Sequence, residues 1–184
     1  MKIWHEIKEI SGAFFIDVFY AEDLRGNFLK SLQSSKVPSE VKLQNIAETY
    51  ISSSQKNVLR GMHYQRPPYD LQKLVTVISG RVLDVILDMR KNSPTFGNVY
   101  SAELGDGCSC RSLFIPSGCA HGFLSLCDNS LMLYHTTSEF NSDYDAGVRY
   151  DSIGFDWKAN DKDLIMTERD RAFRRWVPAD TEFV

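Results

Sequence analysis

Lys73-Leu-Val-Thr-Val-Ile-Ser79, then Gly80, then Arg81-Val-Leu-Asp-Val-Ile-Leu-Asp88, is the passage whose reading decides the fold class. Both runs are dominated by β-branched and apolar residues, which pack well on a pleated surface, and they flank Gly80, a residue able to turn the chain sharply. They are expected to be adjacent strands. Downstream, Lys91-Asn-Ser-Pro-Thr-Phe-Gly97 is a turn cluster punctuated by Pro94 and Gly97. Further short strands are expected over Asn98 to Leu104, Ser112 to Ile115, Gly122 to Leu126 and Leu131 to Thr137. Upstream, Ala13 to Phe19 and Val41 to Ser52 have the same character, while Glu22 to Ser35 is open between loop, short helix and strand. Turn signals recurring about every 8–12 residues point to an all-β sandwich or barrel. One helix is expected near the end, from Asp161 or Thr167 to Trp176, with Thr167-Glu-Arg-Asp170 as its N-terminal cap.

Composition narrows the partners. A chain of 184 residues suits one domain with a sizeable core. A formal charge of −3 gives no basic footprint, so neither nucleic acid nor an anionic membrane surface is expected as a partner. The opening segment from Met1 to Ile10 carries Lys2, His5, Glu6, Lys8 and Glu9, which is incompatible with a secretory apolar region. No apolar run reaches the roughly 20 residues that span a bilayer. The expected compartment is the cytoplasm. Cys108, Cys110, Cys119 and Cys127 match no zinc-ribbon or finger spacing and read as reduced thiols.

The chemistry concentrates in Val58-Leu-Arg-Gly-Met-His-Tyr-Gln65, followed by Pro67-Pro68 and Gln72-Lys73. Two cations and a histidine lie here on otherwise apolar, strand-like segments. Charged groups aimed into a β interior need a polar partner there. Arg60 and His63 are an odd number apart, so a regular strand would put them on opposite faces. Gly61 between them can carry a bulge that changes the register.

The order of these motifs resembles the dTDP-4-dehydrorhamnose 3,5-epimerase family. The resemblance runs through Asp23-Leu-Arg-Gly-Asn-Phe28, Val58 to Gln65 with Pro67-Pro68, Gln72-Lys-Leu-Val75, and Asp88-Met-Arg-Lys-Asn-Ser-Pro-Thr-Phe-Gly97. It continues with Ile115-Pro-Ser-Gly-Cys-Ala-His-Gly-Phe123, Leu133-Tyr-His-Thr-Thr137 and Thr167-Glu-Arg-Asp170. It implies a mostly-β, cupin-type jelly-roll barrel with short, mainly C-terminal helices, as one domain over residues 1–184 whose N-terminal strands are exchanged in a homodimer. It also implies an isomerase that inverts C3, or C3 and C5, of a nucleotide-linked 4-keto-6-deoxyhexose in deoxysugar biosynthesis for surface polysaccharide such as O-antigen. A C–H bond beside a ketone is acidic because the enolate spreads charge onto oxygen. Inverting it needs a base on one face, an acid on the other and a donor at the oxygen, all of which side chains can supply without metal or cofactor.

Carried over by position, the resemblance makes His63 the base, an imidazole being the side chain whose charge ordinarily changes near neutral pH. Asp170 is then the carboxylate orienting it, Tyr134 the opposing acid, and Lys73 the cation at the enolate oxygen, with His121 lining the pocket. Arg60 and Arg25 become diphosphate ligands, suited by their planar forks. Phe28 and Arg25 complete the site of a neighbouring subunit, and Asp145 and Arg169 occupy further matched positions.

The chain departs from the family pattern at two single positions and one four-residue stretch. Lys30 stands where an acid is usual. His135 replaces the lysine after the tyrosine, a place that bears on the tyrosine's setting. Glu48-Thr-Tyr-Ile51 replaces Gln-Asp-Asn-His at the nucleotide-binding stretch. An ionised Glu48 accepts hydrogen bonds and cannot donate, which suits a base presenting an amino group. A CDP carrier therefore stays open beside dTDP. His63-Tyr-Gln65 lacks the His-x-His pair of metal-binding cupins, so no metal is expected. Two other classes stay open: a thiol hydrolase or transferase using Cys119 beside His121, and a catalytically silent sugar-binding barrel.

Overall fold

The computed structural model describes residues 3–41, 43 and 45–184. In chain order its strands are β1 (Trp4–Glu6), β2 (Phe14–Ile16), β3 (Phe19–Asp23), β4 (Gly26–Lys30), β5 (Glu48–Ser54), β6 (Leu59–Gln65), β7 (Lys73–Ser79), β8 (Arg81–Asp88), β9 (Val99–Gly105), β10 (Ser112–Ile115), β11 (Cys119–Ser125), β12 (Ser130–Thr136) and β13 (Asp145–Gly147). The one α-helix among the described residues is α1 (Glu168–Ala172).

Two antiparallel sheets form the barrel, in the orders β1-β2-β10-β7-β12-β5 and β13-β6-β11-β8-β9. From β5 to β13 the chain changes sheet at every step except β8 to β9, which is the jelly-roll winding of a cupin-type barrel. β3 and β4 form a separate two-stranded hairpin.

Side-chain alternation sets the core. Val75 and Val77 of β7, Val82 and Ile86 of β8, Phe123 of β11 and Met132 of β12 meet between the sheets. The intervening Val85 and Leu87 pack outward against Tyr150, Ile153, Trp157 and Leu164 of the C-terminal segment. Leu74 and Phe114 pack outward on the other sheet, against Trp4, Phe14, Val41 and Leu43. β8 is thus covered on both faces, which is why it reads as a nearly continuous apolar run. Each fully buried aliphatic side chain contributes about 1.5–3 kcal/mol.

Several expectations need correction. β7 and β8 have the expected bounds but are not neighbours: β7 pairs with β10 and β12, and β8 with β9 and β11. A single intervening residue is too short for a hairpin loop. Gly80, at φ +82° with Ser130 Cα only 2.7 Å from where a Cβ would sit, turns the chain into the opposite sheet.

The expected strand over Val41 to Ser52 begins only at Glu48. Lys42 and Gln44 lie outside the described residues, as does Lys2, and Val41 and Leu43 are instead buried by packing. Ala13 to Phe19 is broken between β2 and β3, β11 starts earlier than Gly122, and β4 occupies part of the stretch left open. The terminal helix is far shorter than expected. Phe173 is extended (ψ 148°), and the chain leaves the helix so that Arg174 can bridge to Val148. Asp161–Asp163 is a separate 3₁₀ turn.

Candidate active site

The site is organised by a bulge at Gly61. His63 lies opposite His121 and Arg60 opposite Phe123, so β6 spends one more residue than β11 over the same span. Leu59 and Met62 both face the C-terminal segment, which leaves Arg60 and His63 on the barrel side. Gly61 is at φ +128°, and a Cβ there would come within 2.5 Å of Gly122 Cα. Only glycine fits this conformation and this contact.

Arg60 and His63 thereby reach one cavity of about 430 Å³, together with Lys73, His121, Tyr134 and Glu48. His63 Nε2 lies 2.9 Å from Asp170 Oδ1, and Gly61 N–H donates to Asp170 Oδ2 at 3.3 Å. With Nε2 donating to the carboxylate, Nδ1 is left free to accept a proton. Thr167 caps α1 by accepting from Asp170 N–H at 3.1 Å, which holds the aspartate at the helix start. Asp170 is buried, and burial acts to raise its carboxyl. His63, Gly61 N–H and Thr167 outweigh that and hold it below the usual Asp range. The edge of Phe173, at 5.7 Å and 80°, backs the His63 ring.

Lys73 Nζ donates to the His63 carbonyl at 3.2 Å. Burial pulls its ammonium down to about 8, against the upward pull of Asp145 and Asp84. Tyr134 faces inward from β12, with its hydroxyl 3.5 Å from the donating Ser52 Oγ. Burial pushes its phenol well above the ordinary value, so it stays protonated. His121 Nε2 is 2.8 Å from Asp84 Oδ2, and both side chains are buried. His135 points to the outer face, between Thr49 Oγ1 (3.0 Å) and Ser31 Oγ (3.3 Å), away from the cavity that Tyr134 lines.

The remaining candidates divide into two groups. Glu48 lines the cavity and accepts from Phe140 N–H at 2.9 Å. Arg60 donates to Ser54 Oγ and to the Ser53 carbonyl, both at 3.1 Å. Asp145 and Arg169 are paired at the same cavity. Arg25 and Phe28 are not brought to it: both lie on the β3–β4 hairpin, where Arg25 pairs with Asp23 and Phe28 is 56% exposed.

Cys119 is buried in the core, absent from the cavity lining, and its thiol is pushed up to about 12 by burial. A thiolate nucleophile does not form there at neutral pH. Asp84, Ser52 and Phe140 were missed in reading the chain, and Tyr50, named there only within the nucleotide-binding stretch, also lines the cavity. Asp84 had a signal: it shares its strand face with Val82 and Ile86, and an acid among inward apolar residues needs a partner.

Residues 7–177 match the family described as dTDP-4-dehydrorhamnose 3,5-epimerase. A protein of that name from Methanothermobacter thermautotrophicus is 37% identical over 172 residues, covering 92% of this chain and 90% of its own. The crystal structure of the Elizabethkingia anophelis enzyme of that name superposes with a TM-score of 0.86 at 28% identity, covering 98% of this chain and all of the other. A dTDP-6-deoxy-D-glucose-3,5-epimerase from Legionella pneumophila, solved in complex with dTDP-4-keto-L-rhamnose, gives a TM-score of 0.84 at 29% identity over 94% of this chain and 91% of its own.

Proposed function

The chain belongs to the dTDP-4-dehydrorhamnose 3,5-epimerase family, and from that premise we propose how this isomerase works: cofactor-free inversion at C3, or at C3 and C5, of a nucleotide-linked 4-keto-6-deoxyhexose. The reading rests on one observation: His63, bonded to the buried Asp170, borders a single cavity together with Tyr134 and Lys73.

His63 Nδ1 takes the proton from the carbon beside the ketone, and the C–H electron pair moves onto the ketone oxygen as an enolate. The Asp170 carboxylate stabilises the resulting imidazolium through Nε2–H. Lys73, largely protonated at neutral pH, faces the enolate oxygen. As the enolate collapses, Tyr134 gives its hydroxyl proton to the opposite face of the same carbon, and the new C–H bond is inverted. Arg60 lies near enough to Tyr134 to favour the phenolate left behind. Solvent then returns a proton to Tyr134 and removes one from His63.

Arg60 and Arg169 bind the diphosphate of a dTDP or CDP carrier, and Glu48 faces the base. The β3–β4 hairpin stands apart from both sheets with Phe19, Leu24 and Phe28 exposed. It carries Arg25 and Phe28 to the cavity of a second copy in a homodimer. The product feeds cytoplasmic synthesis of a deoxysugar for surface polysaccharide such as O-antigen.

Purified protein is incubated in heavy water with dTDP- and CDP-linked 4-keto-6-deoxyhexoses and followed by NMR. Deuterium at C3 or C5 with inversion, lost in His63→Ala, is the expected result. Binding without exchange for every sugar would leave a silent binding barrel and reject the reading. For the dimer, Arg25→Ala and His63→Ala are each expected to be inactive, and refolding them together should recover activity, since one hybrid site is then complete.

A further inference from the structure

Tyr50 has no part in the roles assigned above, although it stands where the chain departs from the family pattern. It lies directly opposite Tyr134 in the β5–β12 register, and both rings face the cavity. The rings are stacked, with centroids 4.6 Å apart and planes within 14°. Tyr134 is 6% exposed and Tyr50 41%, so Tyr50 lies on the solvent side of the pair. On its other side Tyr134 meets the edge of His121, at 6.4 Å and 66°. The hydrogen bond from Ser52 Oγ is long, at 3.5 Å. The stack therefore restrains the direction of the phenol beside that long bond, and it comes from a strand at the sheet edge.

We propose that Tyr50 is a positioning residue for reprotonation: its ring holds the Tyr134 hydroxyl toward the sugar face opposite His63, and so decides whether the enolate is inverted or returned. This rests on the function proposed above. Two fates compete for the enolate. Either the Tyr134 O–H bond breaks and a C–H bond forms on the far face, or the His63 imidazolium returns a proton to the near face. After exchange of the imidazolium with heavy water, the second fate gives starting sugar labelled with deuterium but not inverted. The position of Tyr134 affects only the first fate, so the ratio of inversion to total exchange reports the stack directly.

The experiment measures that ratio by NMR in heavy water for wild type, Tyr50→Ala, Tyr50→Leu and Tyr50→Phe, with thermal melts beside each. Tyr50→Ala and Tyr50→Leu are expected to lower the ratio about fivefold or more, whatever they do to substrate binding. Tyr50→Phe keeps the ring and is expected to restore the ratio. An unchanged ratio in Tyr50→Leu and Tyr50→Ala overturns the proposal, as does a Tyr50→Phe ratio as low as that of Tyr50→Leu. If Tyr50→Ala fails to fold, the Leu and Phe pair decides. No exchange by wild type would instead reject the proposed function itself.

Discussion

His63 and His121 lie directly opposite each other across β6 and β11, and each is bonded through Nε2 to its own aspartate, His63 to Asp170 at 2.9 Å and His121 to Asp84 at 2.8 Å. The two pairs differ in their access to solvent. The His63 side chain is 31% exposed at the cavity, whereas His121 and Asp84 are 4% and 0% exposed. The first pair thus presents its imidazole to the cavity, whereas the second is almost wholly enclosed by protein.

Removing the charge from Asp170 should strike catalysis. Asp170→Asn is nearly isosteric, yet it no longer stabilises the imidazolium and its amide can pair with the wrong tautomer of His63. The expected loss in kcat is about 10²-fold or more with KM little changed, measured by initial rates. Because the folded carboxyl sits below its ordinary value, it also adds stability at neutral pH. That contribution is present above the usual Asp range and is lost as pH falls through the folded value, so denaturant unfolding of Asp170→Asn should vary less with pH at the acid end.

Breaking the buried His121–Asp84 pair should cost stability. Asp84→Ala leaves His121 buried without its partner, and a loss of about 3 kcal/mol is expected in urea unfolding. Replacing both residues with apolar side chains of similar volume should recover most of it. A double variant no more stable than Asp84→Ala would show that the loss lies in packing rather than in the stranded polar group.

Lys73 should trade stability for function. Its folded pKa of about 8 is below the unfolded value near 10.5, so the unfolded chain binds more protons between those limits and stability rises with pH across that window. Lys73→Met is expected to be inactive yet more stable at neutral pH, by of order 3 kcal/mol before loss of the bond to the His63 carbonyl is counted. In the wild type, kcat should fall as pH rises through about 8, when the ammonium loses its charge. A flat rate profile from pH 7 to 9 would remove Lys73 from the mechanism.

Gly61→Ala should lose both fold and activity. The new Cβ meets the Gly122 backbone at 2.5 Å and the His121 carbonyl at 2.9 Å, in a φ that L-residues rarely adopt. A cost of about 1–3 kcal/mol from the backbone alone is expected. Any relief shifts the bulge and separates Arg60 from His63. A melting temperature equal to wild type would mean that the bulge tolerates a side chain.

What reading the chain reveals differs between strand and loop. β7 and β8 were legible to the residue because β-branched runs and a glycine stop are local signals. That the two strands join opposite sheets was not, since partner choice depends on strands distant in sequence. The bulge at Gly61 could be inferred from the odd spacing of Arg60 and His63. The stacking of Tyr50 on Tyr134 was not legible, because only the β5–β12 register brings the two rings together.

By itself the order of residues determined the strand-rich class, the glycine register break and the chemical types gathered around His63, because alternation, backbone freedom and side-chain chemistry are properties of short segments. The tertiary structure alone decided that α1 ends early, that Asp84 is buried beside His121, and that Arg25 and Phe28 lie on a hairpin away from the cavity. Those outcomes depend on which distant surfaces are buried together, and burial is a property of the packed whole.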